Sequence, residues 1–199
     1  MHESSEAARP PRQAAILKAA VKVFFQFGYR KTSMDDVAGA AKVSRQTLYL
    51  RFVNKEQLFR AALEYVTEQM LVLIRRLAGN QNGSVEQTLI GVFEILCGDS
   101  LALSSQVNIA ELLAVARSQE ESIVSRFEAD VLSVIADILT QASTAARWER
   151  HGIGAQELAR QLLDTSAGVK SATGDLSDYR RRMALAIRII VMGANEVET

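Results

Sequence analysis

After Pro11 the chain contains no proline at all. Proline removes a backbone donor and breaks helix interiors, so its absence leaves long helices unopposed. Strict alternation of β-branched residues is also missing, which argues against strands. Hydrophobic residues make up 48% of the 199 positions, enough apolar surface for a buried core. The expected fold class is therefore all-α. The single cysteine, Cys97, excludes an internal disulfide framework and a cysteine-rich zinc site, and it fits a reducing, cytoplasmic setting. No metal or cofactor is expected. The opening MHESSEAARPPR lacks the apolar stretch of a secretory signal, and the apolar run 183–194 is too short and too interrupted by Arg188 to span a bilayer. No membrane partner is expected.

Apolar periodicity places the helices. Residues 1–11 read as a flexible arm, with Pro10 and Pro11 suited to a first helical turn. Ile16, Ala19, Ala20, Val23, Phe24 and Phe27 recur at helical spacing, and Gly28 fits the end of that helix. Ser33 caps a short helix from Met34 to Ala41, with Asp35 and Asp36 at the favourable end of its dipole. Lys42 and Val43 form a turn. Ser44 caps a third helix from Arg45 to Arg51, with Leu48 and Phe52 pointing inward. Asn54 and Gln57 form a capping box for a fourth helix that ends near Gly79. Further helices are expected from Val85 to Leu101 or Leu103 and over 107–116, 122–147 and 156–167, with a last one from a Ser177 cap to Ala194.

The net charge of zero hides an asymmetry. Residues 1–60 carry eleven Lys and Arg against five Asp and Glu, and the remainder carries twelve against eighteen. A basic head joined to an acidic body suits a polyanionic partner on the head side. Residues 12–54 also meet the requirements of a helix-turn-helix. Small residues, Ala38 and Ala41, stand where two short helices cross, and Ser44 ends a tight turn. Arg45, Gln46 and Thr47 then sit at the N-terminal end of the second helix, where side chains reach base edges in a major groove. Arginine pairs with guanine and glutamine with adenine, while Thr47 can touch a thymine methyl or a phosphate. Thr32 and Ser33 before one helix, Ser44 before the next, the Tyr49 hydroxyl and Lys55 are candidates to grip phosphates. Ser33 and Ser44 serve equally as plain caps.

The stretch TSMDDVAGAAKVSRQTLYLRFVNKEQLFRAAL resembles the N-terminal domain of the TetR family of transcriptional regulators. The carrying residues are Thr32, Ser33, Val37, Ala38, Ala41, Val43, Ser44, Thr47, Leu48, Tyr49, Phe52, Lys55, Glu56 and Leu58. The preceding helix, with Ala15, Ile16, Ala19, Phe24, Phe27, Gly28 and Tyr29, is similar as well. The likeness covers residues 12–63. It departs at Lys42, where the family usually has glycine because the turn visits positive φ. It departs again at Leu50 and Arg51, where polar residues and histidine are frequent.

The resemblance implies a three-helix DNA-binding domain at 12–54 and a larger helical domain at 55–199 that binds an effector and dimerises. It implies a cytoplasmic homodimer, commonly a repressor, that binds a palindromic double-stranded operator and responds to a small molecule. The segment MALAIRIIVMGA supports the dimer independently. It is apolar around most of its circumference, so it needs cover on more than one side. The expected interface is the last two helices. Phe93, Cys97, Asn108, Leu112, Phe127 and Trp148 are candidates to line the effector cavity, and the apolar ones among them serve equally as core. An enzyme is not expected: His2 and His151 are the only histidines, and no catalytic motif stands out. A helical adaptor with a basic docking head is the remaining alternative.

Overall fold

The structure is a computed structural model that describes residues 10–80, 83–103, 106–117, 122–173 and 175–193, leaving out the side chains of 98–110. Every regular element among the described residues is a helix. The order is α1 (Pro11–Phe27), α2 (Met34–Ala40), α3 (Arg45–Tyr49), α4 (Lys55–Ala78), α5 (Val85–Leu103), α6 (Gln106–Arg117), α7 (Ile123–Gln141), α8 (Thr144–Glu149), α9 (Ala155–Ala172) and α10 (Leu176–Met192). No helix among the described residues is long and apolar enough to cross a membrane.

Contacts divide the chain into two units. The head comprises residues 1–68 and 106–123, and the body comprises 69–105 and 124–199. Residues 55–68 and α6, which the sequence reading assigned to the larger domain, thus share the contacts of the head. In the head, α1 buries Ile16, Leu17, Ala20, Val23 and Phe24, and Phe27 at its end stays 47% exposed. The expected inward face is therefore rotated toward Leu17. Met34, Val37, Ala38, Leu48, Phe52, Leu58, Phe59 and Ala62 complete the core. Phe24, Tyr29 and Phe59 form an aromatic triangle with ring centroids 5.0 to 6.0 Å apart. Each fully buried Phe stabilises the head by roughly 1.5–3 kcal/mol. The Arg30 backbone N–H donates to Glu111 Oε1 on α6 at 2.9 Å.

Helix ends follow local chemistry. Ser33 and Asp36 form a reciprocal capping box on α2, and the Ser44 hydroxyl accepts from the Thr47 N–H. At α4 the Asn54 side chain accepts from the Gln57 N–H at 2.8 Å, but the Gln57 side chain returns to the Val53 N–H at 2.7 Å, one residue earlier than a regular box. Ser84 and Gln87 supply a full box at α5.

The body core joins Ile74, Leu89, Val92, Phe93 and Cys97 to Ile135, Leu139, Leu158, Leu162, Tyr179, Met183 and Ile187. Two expectations need correction here. The single helix expected over 122–147 is broken between α7 and α8, where Ser143 adopts φ 57. The break turns α8 onto the end of α10. Arg147 Nη2 donates to the Val191 carbonyl at 2.7 Å, and Trp148 Nε1 donates to the Ile190 carbonyl at 2.8 Å. Both carbonyls lie in the last turn of α10, where the helix has no acceptors' partners of its own. The cap of α10 is Asp175 rather than Ser177; its carboxylate accepts from the N–H groups of Ser177 and Asp178.

Candidate nucleic-acid interface

The turn between α2 and α3 sets the site. Lys42 adopts φ 54. Its N–H donates to the Gly39 carbonyl at 3.1 Å, and the Val43 N–H donates to the Ala38 carbonyl at 3.0 Å. This pair of bonds satisfies the end of α2 and requires the left-handed conformation between them. Lysine accepts it at a cost of about 1 kcal/mol relative to glycine. The turn delivers Ser44, whose side chain accepts from the Thr47 N–H at 3.1 Å and so starts α3. Leu48 at 0% exposure and Phe52 at 4% anchor α3 inward.

The opposite face of α3 is solvent-exposed and carries Arg45, Gln46 and Tyr49. Arg45 is held at two points. Its Nη1 donates to Asp35 Oδ2 on α2 at 3.0 Å, and its guanidinium lies 5.5 Å from the centre of the Tyr49 ring. Both members of the ion pair are more than half exposed, so it contributes well under 1 kcal/mol to stability and serves mainly to orient the guanidinium. Gln46 is exposed beside it, and the Thr47 hydroxyl shares a 2.8 Å hydrogen bond with Ser44 Oγ. Ser33 is exposed; its hydroxyl donates to Asp36 Oδ2 at 2.6 Å. That hydroxyl, with the Ser33 backbone N–H, holds the Asp36 carboxyl below its ordinary value.

Two expected phosphate contacts are otherwise engaged. Thr32 is 2% exposed, and its hydroxyl donates to the Gly28 carbonyl at 2.7 Å. It holds the turn after α1 and does not present a hydroxyl to solvent. Lys55 donates to the Tyr29 carbonyl at 3.1 Å and sits 4.5 Å from the Tyr29 ring centre. Its ammonium ties α4 to the end of α1, leaving only part of its donor capacity for an anion.

The effector candidates do not converge as one set. Phe93 and Cys97 are buried in the body core, with Phe127 and Trp148 packed against it. Leu112 lies in the head, and the side chain of Asn108 lies outside the described residues. Sequence reasoning missed the polar groups of that core. Tyr179 shares a 2.8 Å hydrogen bond with Ser166 and reaches the Phe93 carbonyl at 3.4 Å, while Lys170 Nζ donates to the Leu96 carbonyl at 2.8 Å. Burial pushes the Cys97 thiol up and the Lys170 ammonium down. The available signal was spacing: Ser166 and Lys170 follow the buried Leu162 at four-residue intervals along one helix face.

Residues 16–62 match the family described as bacterial regulatory proteins, tetR family. An uncharacterized HTH-type transcriptional regulator of Bacillus subtilis (strain 168), YhgD, is 46% identical over 59 residues, covering 30% of this chain and 31% of that protein. The DNA-binding transcriptional repressor TetR of Mycobacteroides abscessus is 45% identical over 53 residues, or 27% of this chain and 28% of that one. The aligned stretch thus spans less than a third of the length of these two relatives. Likeness over the whole length appears in structure. The fatty acid degradation regulator FadR of Bacillus halodurans superposes with a TM-score of 0.66 at 20% identity, covering 93% of this chain and 97% of that one, which establishes the shared fold. On the family match and the kinship of its closely similar stretch, the segment 16–62 belongs to the tetR family of bacterial regulatory proteins, and the chain shares the all-helical fold of its structural neighbours.

Proposed function

We propose that the chain is a homodimeric, ligand-responsive repressor that binds a palindromic double-stranded DNA operator through α3. The carrying observation is the exposed α3 face, on which Arg45, Gln46 and Tyr49 stand together within the basic segment 1–60 while Leu48 and Phe52 fix the helix from beneath. In this reading Arg45 and Gln46 contact base edges, and Tyr49, Ser33, Ser44 and Thr47 grip the backbone. The exposed Lys42 adds positive charge beside them.

The dimer rests on α10 and α9. Leu185, Ile189 and Met192 form a stripe on α10 that is 56 to 59% exposed, and the adjacent helix α9 exposes Ala167 and Gly168, small residues that admit a second helix closely. Two copies related by a two-fold axis would bury this stripe and present two α3 helices to successive major grooves. A small molecule that binds one spacing of the α3 helices better than another then shifts operator affinity.

The test is selection of bound duplexes from a random library, followed by anisotropy titration of the selected duplex across salt concentrations. The reading expects an inverted repeat, two chains per duplex, and affinity that falls steeply as salt rises. Equal affinity for selected and random duplexes would remove it.

A further inference from the structure

Apart from the α10 stripe, the large apolar side chains that are more than half exposed among the described residues are Leu50, at 81%, and Val53, at 76%. Both lie at the end of α3. Leu50 keeps helical geometry, with φ −64 and ψ −20, and its N–H donates to the Gln46 carbonyl at 3.0 Å. It therefore sits one turn beyond Gln46 on the same face. No core contact explains a leucine this exposed, and the exposed cations Lys42, Arg45 and Arg51 lie within eight residues of it along the chain. An apolar protein surface docking here would have to strip water from those cations. The major groove of duplex DNA meets both demands, since its phosphates face the cations and its one apolar base-edge feature is the C5 methyl of thymine.

We infer that Leu50 determines specificity by packing on a thymine methyl group in the major groove. This deepens the operator-binding reading and rests on it. One helical turn rises about 5.4 Å and one base step about 3.4 Å, so for a helix lying along the groove the thymine falls one to two base pairs from the pair contacted by Gln46.

Once the full chain has yielded a selected duplex, each thymine is replaced in turn by deoxyuridine, which removes only the methyl. Wild-type protein should lose about fourfold in affinity at one thymine per half-site, the amount expected for one buried methyl. Leu50→Ala should bind the thymine duplex more weakly and show no penalty for uracil at that position. Because Leu50 is exposed, the variant should keep the wild-type melting curve. A flat uracil scan, or the same penalty in Leu50→Ala, overturns the inference while leaving the operator reading intact. Failure to select any duplex overturns the operator reading itself.

Discussion

Two non-glycine residues among the described ones adopt the left-handed conformation, Lys42 in the head and Ser143 in the body, with φ 54 and 57. They are nearly identical as backbone and opposite in origin. Lys42 completes a local motif: its own N–H and that of Val43 close the end of α2, and the same pair of bonds closes α8 around Gly152 at φ 75. The reason for the turn lies within six residues. At Ser143 the local bond, from its N–H to the Thr140 carbonyl at 3.0 Å, is only part of the cause. What the break achieves is remote, because it lets Arg147 and Trp148 donate to the carbonyls of Val191 and Ile190. Strain in the head is offset by neighbours in sequence, and strain in the body by neighbours in space.

The largest effect should come from removing the remote support. Trp148→Ala deletes a half-buried indole and its bond to α10, and should cost about 3 kcal/mol in urea denaturation, with faster amide exchange in the last turn of α10. Unchanged exchange there would show that the break stands without α10. Next is the local support. Ser44→Ala removes the cap of α3 and should cost about 1 kcal/mol by the same measurement. A loss below a few tenths would mean that packing of Leu48 alone sets the start of α3.

Relief of strain should be smaller and equal in the two places. Lys42→Gly and Ser143→Gly should each raise stability by roughly 0.5–1 kcal/mol, since glycine adopts φ > 0 without a Cβ clash but is also freer when unfolded. A gain at one site only would show that the two turns are not equally strained. The smallest effect concerns the capping box. The Ser33 hydroxyl and N–H hold the Asp36 carboxyl below its ordinary value in the fold, so its charge favours the folded chain above that ordinary value, and its contribution fades as pH falls through the lowered one. The stability gap between wild type and Asp36→Asn should therefore be present near neutral pH and close as the lowered carboxyl value is passed in acid. A gap that persists in acid would assign Asp36 a role unrelated to its charge.

The same contrast governs what can be read from residues alone. The head was legible because its signals are local: Ser33 and Ser44 as caps and Leu48 and Phe52 as anchors follow from spacing, and the strained turn at Lys42 from the family resemblance. The break at Ser143 carries no glycine or proline, and its partners lie more than forty residues away in sequence. Thr32 and Lys55 illustrate a second limit. A hydroxyl or ammonium near a helix start suits a phosphate and a backbone carbonyl equally, and only the fold reveals that the Gly28 and Tyr29 carbonyls are within reach. The polar groups around Cys97 were obscured for a third reason, because Lys170 and Tyr179 act on it from two other helices, with Ser166 bonded to Tyr179.

The central claim is that the exposed face of α3 reads bases while its tyrosine holds the backbone. Base-preference profiles of wild type, Gln46→Ala and Tyr49→Ala on a library of single-base operator variants test it most directly. The account predicts that Gln46→Ala flattens preference at one position per half-site, by about 1–3 kcal/mol, whereas Tyr49→Ala weakens every variant by a similar factor. Uniform loss for both variants would contradict it.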